Sequence, residues 1–95
     1  MVDSNTISIL KSVLEKHLQS NCKSFIYGSR THANHRKFSD LDIGILGPIK
    51  LSASTLVSIQ SELSDSNIPY LVDVVDFSAV SNSFKNKALT NIINL

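Results

Sequence analysis

The sequence predicts an α/β fold in which helices pack on a small β-sheet. Three segments have apolar residues at helical spacing, and three shorter segments are rich in apolar or β-branched residues. The predicted order of these elements along the chain is α-β-β-α-β-α. A chain of 95 residues supports one hydrophobic core of modest size, so we expect residues 1–95 to form a single domain.

The N-terminal segment has the apolar spacing of an amphipathic helix from about residue 5 to residue 20. Its apolar positions are Ile7, Leu10, Val13, Leu14 and Leu18. Ser4 or Asn5 is expected to cap this helix. The next apolar run, residues 25–27, is too short for a helix and predicts a strand that leads into Gly28.

A second strand is predicted over residues 40–46, because apolar and other residues alternate there. One face carries Leu41, Ile43 and Ile45, and the other carries Asp40, Asp42 and Gly44. Gly47 and Pro48 follow at once and end the strand.

The rest of the chain predicts a helix, a strand and a terminal helix. The helix is expected over residues 52–66 with Ser52 as its N-cap, and the valine-rich strand over residues 70–77. The terminal helix is indicated by spaced apolar residues at Val80, Phe84, Ala88, Ile92 and Leu95. Phe84 is expected to lie in the core.

Composition excludes several classes of function. The net charge of +1 provides no overall field toward nucleic acid or anionic lipid, so direct nucleic-acid binding is not expected. No apolar stretch approaches the roughly 20 residues of a membrane span. The single cysteine, Cys22, excludes an internal disulfide and suits a reducing compartment. We therefore expect a cytoplasmic protein.

The most informative motif is Gly28-Ser29, followed after ten residues by Asp40-Leu41-Asp42. Glycine lacks a Cβ atom, so the backbone at Gly28 can approach phosphate oxygens closely. Ser29 offers a hydroxyl and an N–H group, and Arg30 offers a bidentate cation. This combination predicts a nucleoside triphosphate site, with Gly28, Ser29 and Arg30 as its nucleotide-binding residues.

Asp40 and Asp42 are two residues apart on a strand, so their carboxylates project from the same face. Like charges this close repel unless a cation lies between them, and oxygen ligands favour Mg²⁺ or Mn²⁺. Asp73 and Asp76 are candidates for a further ligand. Their separation of three places them on opposite faces of a regular strand, and the strand pattern alone does not choose between them.

The Gly-Ser turn and the downstream Asp-x-Asp pair resemble the signature of the nucleotidyltransferase superfamily that includes DNA polymerase beta. For so short a chain, the sequence resembles most closely the minimal nucleotidyltransferases. The resemblance covers nearly the whole chain. It implies a mixed sheet, and it selects Asp73 as the third catalytic aspartate beside Asp40 and Asp42.

The resemblance also implies a reaction and a partner. Asp40, Asp42 and Asp73 would hold two Mg²⁺ ions, and AMP would pass from ATP to an acceptor hydroxyl while pyrophosphate leaves. In the family the acceptor is typically a tyrosine of a HEPN-domain toxin, for which the transferase is the antitoxin. The acceptor is expected to come from such a separate protein.

The sequence leaves two alternative functions open. The protein could be a non-catalytic antitoxin or scaffold that acts by binding alone. It could also be a catalytic subunit that modifies a small molecule or RNA with the help of a separate substrate-binding subunit. Intact aspartates favour an enzyme, but they do not distinguish the acceptors.

Overall fold

A computed structural model describes residues 2–28 and 41–95 of the chain. The described residues form helices and strands in the order α1 (Ser4–His17), β1 (Lys23–Tyr27), β2 (Leu41–Leu46), α2 (Ala53–Ser64), β3 (Val72–Asp76), α3 (Asn82–Ala88) and β4 (Ile92–Asn94). A short 3-10 turn at Phe77–Ala79 connects β3 to α3. No described helix combines the length and the apolar character needed to cross a bilayer.

The four strands form one sheet in the order β3-β2-β1-β4. Strand β1 is antiparallel to both of its neighbours, β2 and β4, whereas β2 and β3 are parallel. Parallel neighbours need a crossover, and α2 provides it between β2 and β3. The sheet is therefore mixed, as the family resemblance implies.

The predicted order of elements is incomplete at its C-terminal end, because it lacks one strand. The predicted terminal helix ends at Ala88, and a fourth strand, β4, follows it. Thr90 helps to end the helix, because its side-chain hydroxyl donates to the carbonyl of Lys87 at 2.7 Å. The two β-branched residues Ile92 and Ile93 then pair with β1. Their apolar spacing fits a helix equally well, so the spacing alone could not reveal the strand.

Element ends differ from the predictions by a few residues. Helix α1 is capped by Asp3, whose carboxylate accepts from the Thr6 hydroxyl at 2.6 Å, rather than by Ser4 or Asn5. Ser52 caps α2 as predicted, since its hydroxyl oxygen accepts from the backbone N–H of Thr55. The third strand is shorter than predicted, because Phe77 begins the 3-10 turn.

The sheet has two different faces. One face packs against α1 and α2 and forms the larger core, in which the alternating residues predicted to share a face, Leu41, Ile43 and Ile45, are fully buried. The other face packs a smaller aromatic core of Phe25, Tyr27 and Phe77. The polar alternate positions of β2 lie on this second face.

Candidate active site

The site is built on three neighbouring strands. Tyr27 on β1 pairs in register with Asp42 on β2, and Asp42 pairs in register with Asp73 on β3. Residues that pair across neighbouring strands project from the same face, and the strands are about 4.8 Å apart. The sheet therefore brings the side chains of Asp42 and Asp73 together, 31 positions apart in sequence.

Gly28 directly follows β1 and lies against the Asp42 carboxylate. Its φ of +78° is in the left-handed region, which side chains other than glycine rarely adopt. A Cβ atom at this position would lie 2.7 Å from Asp42 Oδ2. The backbone at residue 28 can approach this carboxylate closely because glycine has no side chain.

Asp76 is on the opposite face of β3 and is 6% exposed. One of its carboxylate oxygens accepts from the backbone N–H of Leu51 at 2.7 Å, and the other accepts from the backbone N–H and the hydroxyl of Ser78. Burial acts to raise the pKa of Asp76, but these donors together outweigh it and lower the pKa. Asp76 therefore caps the N-terminal end of the 3-10 turn.

Tyr27 lies between the carboxylates and the aromatic core. Its pKa is raised to about 12, first because the phenol is buried and then because Asp42 and Asp73 are negatively charged nearby. The phenol therefore lies in the field of both carboxylates and stays protonated at neutral pH.

Phe84 was predicted to lie in the core, and that prediction is wrong. Its ring packs on Tyr27 and Phe77, with centroid distances of 6.1 and 5.6 Å, but 44% of the residue is exposed. The apolar spacing of the terminal segment placed Phe84 on the buried side of its helix. Helix α3 is only seven residues long and has no buried residue, which the spacing does not show.

Three of the predicted site residues, Ser29, Arg30 and Asp40, lie outside the described residues. Within the described parts of the chain, no three His, Cys, Asp or Glu side chains are close enough together to hold a metal ion. Asp42 and Asp73 supply two neighbouring carboxylates, which are the hard oxygen donors that Mg²⁺ prefers. The donors that are present fit Mg²⁺, and the remaining predicted ligand, Asp40, directly precedes β2 in the sequence.

Comparison with known proteins identifies similar chains. A Haemophilus influenzae protein named as a probable protein adenylyltransferase, MntA, is 27% identical over 84 residues, which cover 88% of this chain and 73% of that protein. A toxin–antitoxin crystal structure with AMP-PNP has a TM-score of 0.78 and 20% identity, covering 98% of this chain and 72% of the other.

Another similar structure is a Shewanella oneidensis complex of a tri-AMPylated HEPN toxin with MNT antitoxin. Its TM-score is 0.69 at 21% identity, and the match covers 95% of this chain and 67% of the other. At this identity, the structural likeness establishes the fold. The family model described as polymerase beta, nucleotidyltransferase, matches residues 9–95. The chain therefore belongs to the polymerase beta nucleotidyltransferase family.

Proposed function

We propose that this protein is an Mg²⁺-dependent protein adenylyltransferase. It transfers AMP from ATP to a hydroxyl of a HEPN-domain partner and acts as the antitoxin of that partner. The observation that carries the proposal is the register of the sheet, which brings Asp42 and Asp73 together on the face beside Gly28. Family membership supports nucleotidyl transfer as the chemistry at this place.

The metal-binding residues in this proposal are Asp42 and Asp73, together with Asp40. When bound, two divalent cations stabilise the negative charge that develops on the α-phosphate and the departing pyrophosphate. Asp42 and Asp73 are both acidic, so they hold cations rather than phosphate directly. Phosphate binding is therefore proposed for the predicted turn that follows β1.

The turn binds the triphosphate through Gly28, Ser29 and Arg30. The backbone at Gly28 has no side chain to keep phosphate oxygens away, and the Ser29 hydroxyl and the Arg30 guanidinium donate to them. The bond between the acceptor oxygen and the α-phosphorus forms as the bond to pyrophosphate breaks. The exposed Asp73 carboxylate accepts the proton that the acceptor hydroxyl loses.

The choice of acceptor comes from the relatives. One relative is named as a probable protein adenylyltransferase, and one similar structure contains a HEPN toxin that carries AMP groups. Asp73 is exposed, so a hydroxyl on the surface of another protein can reach it from solvent. A tyrosine of a HEPN toxin is therefore the acceptor that we propose for this chain.

The test uses two matched variants of one strand. Asp73→Asn and Asp76→Asn make the same substitution three residues apart, on opposite faces of β3. The protein is mixed with its HEPN partner, Mg²⁺ and ATP labelled at the α-phosphate, and the label on the partner is counted. Wild type should label the partner, Asp73→Asn should label it about a thousandfold more slowly, and folded Asp76→Asn should retain most activity.

Two results would contradict the proposal in different ways. If Asp73→Asn labels the partner as fast as wild type, the assignment of Asp73 is wrong. If Asp73→Asn fails to label the partner but still neutralises its toxicity in cells as well as wild type, neutralisation depends on binding alone. The protein would then be an enzyme whose activity does not explain the antitoxin effect.

A further inference from the structure

The sheet face that carries Asp42 and Asp73 also carries a cluster of aromatic rings. We call this the aromatic cluster, and it consists of Phe25, Tyr27, Phe77 and Phe84. Three of the rings are buried, whereas Phe84 is 44% exposed. An aromatic ring that is open to solvent beside a polar site offers a surface for another flat, apolar group.

The position of Phe84 is well determined by its surroundings. Its backbone N–H donates to the hydroxyl oxygen of Ser81, the N-cap of α3, at 3.2 Å. Its ring lies 6.1 Å from Tyr27 at an interplanar angle of 87°, and 5.6 Å from Phe77. Both neighbouring rings are buried. Little conformational freedom is therefore left for a ligand to remove when it stacks on this ring.

The exposed ring is next to the candidate active site. Tyr27 contacts Phe84 on one side and pairs with Asp42 on the other. Asp42 pairs in turn with Asp73, so the side chains of Tyr27, Asp42 and Asp73 form one row across three neighbouring strands. Phe84 is thus one side chain away from the acidic pair, on the same face of the sheet.

The charge of α3 favours an anionic ligand. The helix contains two lysines, Lys85 and Lys87, and no acidic residue. A group that stacks on Phe84 and extends toward the acidic pair would pass beside this basic helix. A nucleoside triphosphate combines a flat base with a highly charged tail, and it fits both features.

We propose that Phe84 is the stacking surface for the nucleobase of the nucleoside triphosphate. The inference rests on the proposed function and adds the place of the base to it. Stacking on an aromatic ring depends little on which base is present, because every base has a π-face. Phe84 therefore contributes affinity for nucleotides in general rather than selection of adenine.

The absence of tryptophan from the sequence makes a direct test simple. Phe84→Trp introduces a single indole at the proposed stacking surface. Its fluorescence should fall when ATP and Mg²⁺ are added, and it should change little with inorganic tripolyphosphate, which has no base. The matched control is Val57→Trp, which places the indole at an exposed position of α2, on the opposite side of the sheet. ATP should leave its fluorescence unchanged.

Affinity measurements separate stacking from packing. Phe84→Ala should weaken ATP binding by about 5- to 150-fold and leave tripolyphosphate binding unchanged. Phe84→Leu keeps much of the apolar packing but has no ring, so it should weaken ATP binding similarly. Thermal denaturation of each variant is recorded, and affinities are compared well below the unfolding temperature.

Each other outcome overturns the proposal. If Phe84→Trp is not quenched and Phe84→Ala binds ATP normally, the base lies elsewhere, and the proposed function is unaffected. Equal losses for ATP and tripolyphosphate would show that Phe84 has a structural role. Normal nucleotide binding with reduced labelling of the HEPN partner would assign the ring to the partner. If wild type binds neither ATP nor tripolyphosphate with Mg²⁺, the proposed function fails as well.

Discussion

Gly28 is the first residue of the predicted phosphate-binding turn, and its backbone lies close to the carboxylate of Asp42. We expect Gly28→Ala to affect function more than stability. An alanine in the left-handed region costs about 1–2 kcal/mol of folding free energy. Its Cβ would also lie 2.7 Å from Asp42 Oδ2. The carboxylate can rotate away, but that rotation removes it from its place beside the turn. AMP transfer should therefore fall by far more than the change in stability explains.

The control for this prediction is Gly47→Ala at the other end of β2. There a Cβ atom would meet a different side chain, with Cys22 Sγ at 2.8 Å. Chemical denaturation and the transfer assay are run on both variants. Similar activity losses in the two variants at similar stability would contradict a specific role for Gly28.

The two aspartates of β3 show what a sequence can predict about single residues. Their spacing of three correctly predicted that they lie on opposite faces of the strand. The crossover through α2 decides which of the two is buried away from the site. The segment before that helix brings the Leu51 N–H within hydrogen-bond distance of the Asp76 carboxylate. That contact joins residues 25 positions apart. The strand pattern alone therefore could not choose between the two aspartates, and the proposal of Asp73 depends on the family resemblance and on its pairing with Asp42.

At the scale of elements, Gln60 on α2 covers the edge of the sheet. Its side-chain amide donates to the carbonyl of Val72 and accepts from the backbone N–H of Val74 at 3.1 Å. Strand β3 is an edge strand of the sheet, and its other side pairs with β2. Exposed edge strands can pair with other chains, so this contact protects the sheet from such pairing.

We predict that Gln60→Ala lowers the free energy of unfolding by about 1–2 kcal/mol, because two hydrogen bonds are lost. It should also increase self-association, since the backbone groups of Val72 and Val74 are then open to another strand. Urea denaturation and light scattering over a range of protein concentrations measure the two effects. Ser61→Ala, at the neighbouring exposed position, is the control. A monomeric Gln60→Ala with wild-type stability would contradict this role.

Strand β4 shows why some elements could not be predicted. Helical spacing and strand pairing are both compatible with the apolar residues of the terminal segment. The deciding interaction is the pairing of Ile92 with Tyr27 and of Ile93 with Ile26, more than 60 positions earlier in the chain. The other strands carry a clearer local signal, which is a short apolar run that ends at Gly28, a period of two, or a run of β-branched residues. Strand β4 has only three residues, and they continue the helical spacing of the preceding segment, so none of these signals is present there.

At the scale of the whole molecule, the two faces of the sheet have different roles. The face toward α1 and α2 holds the larger apolar core. The face toward α3 carries the acidic pair and the aromatic cluster. The net charge is only +1, so the molecule as a whole attracts ATP weakly. In the proposed function, affinity for the triphosphate must then arise locally, at a face where two carboxylates repel it.

This charge balance predicts that Mg²⁺ reverses the effect of a carboxylate on ATP binding. Without metal, Asp73 repels the triphosphate, so Asp73→Asn should bind ATP more tightly than wild type does. With Mg²⁺, the same substitution removes a proposed metal ligand, so the variant should bind ATP more weakly. Removing Mg²⁺ from wild type should lower ATP affinity by about tenfold or more, as expected for unit charges several ångströms apart near a protein surface.

Calorimetry with Mg²⁺ or with a chelator measures all four affinities, and Asp76→Asn is the control. Asp76 lies on the opposite face and is held by Leu51 and Ser78, so its substitution should not reverse the order of affinities between the two conditions. Equal ATP affinity of wild type with and without Mg²⁺ would contradict the metal assignment. A weaker affinity of Asp73→Asn in both conditions would instead place Asp73 in direct contact with the nucleotide, because a purely electrostatic role requires the two effects to have opposite signs.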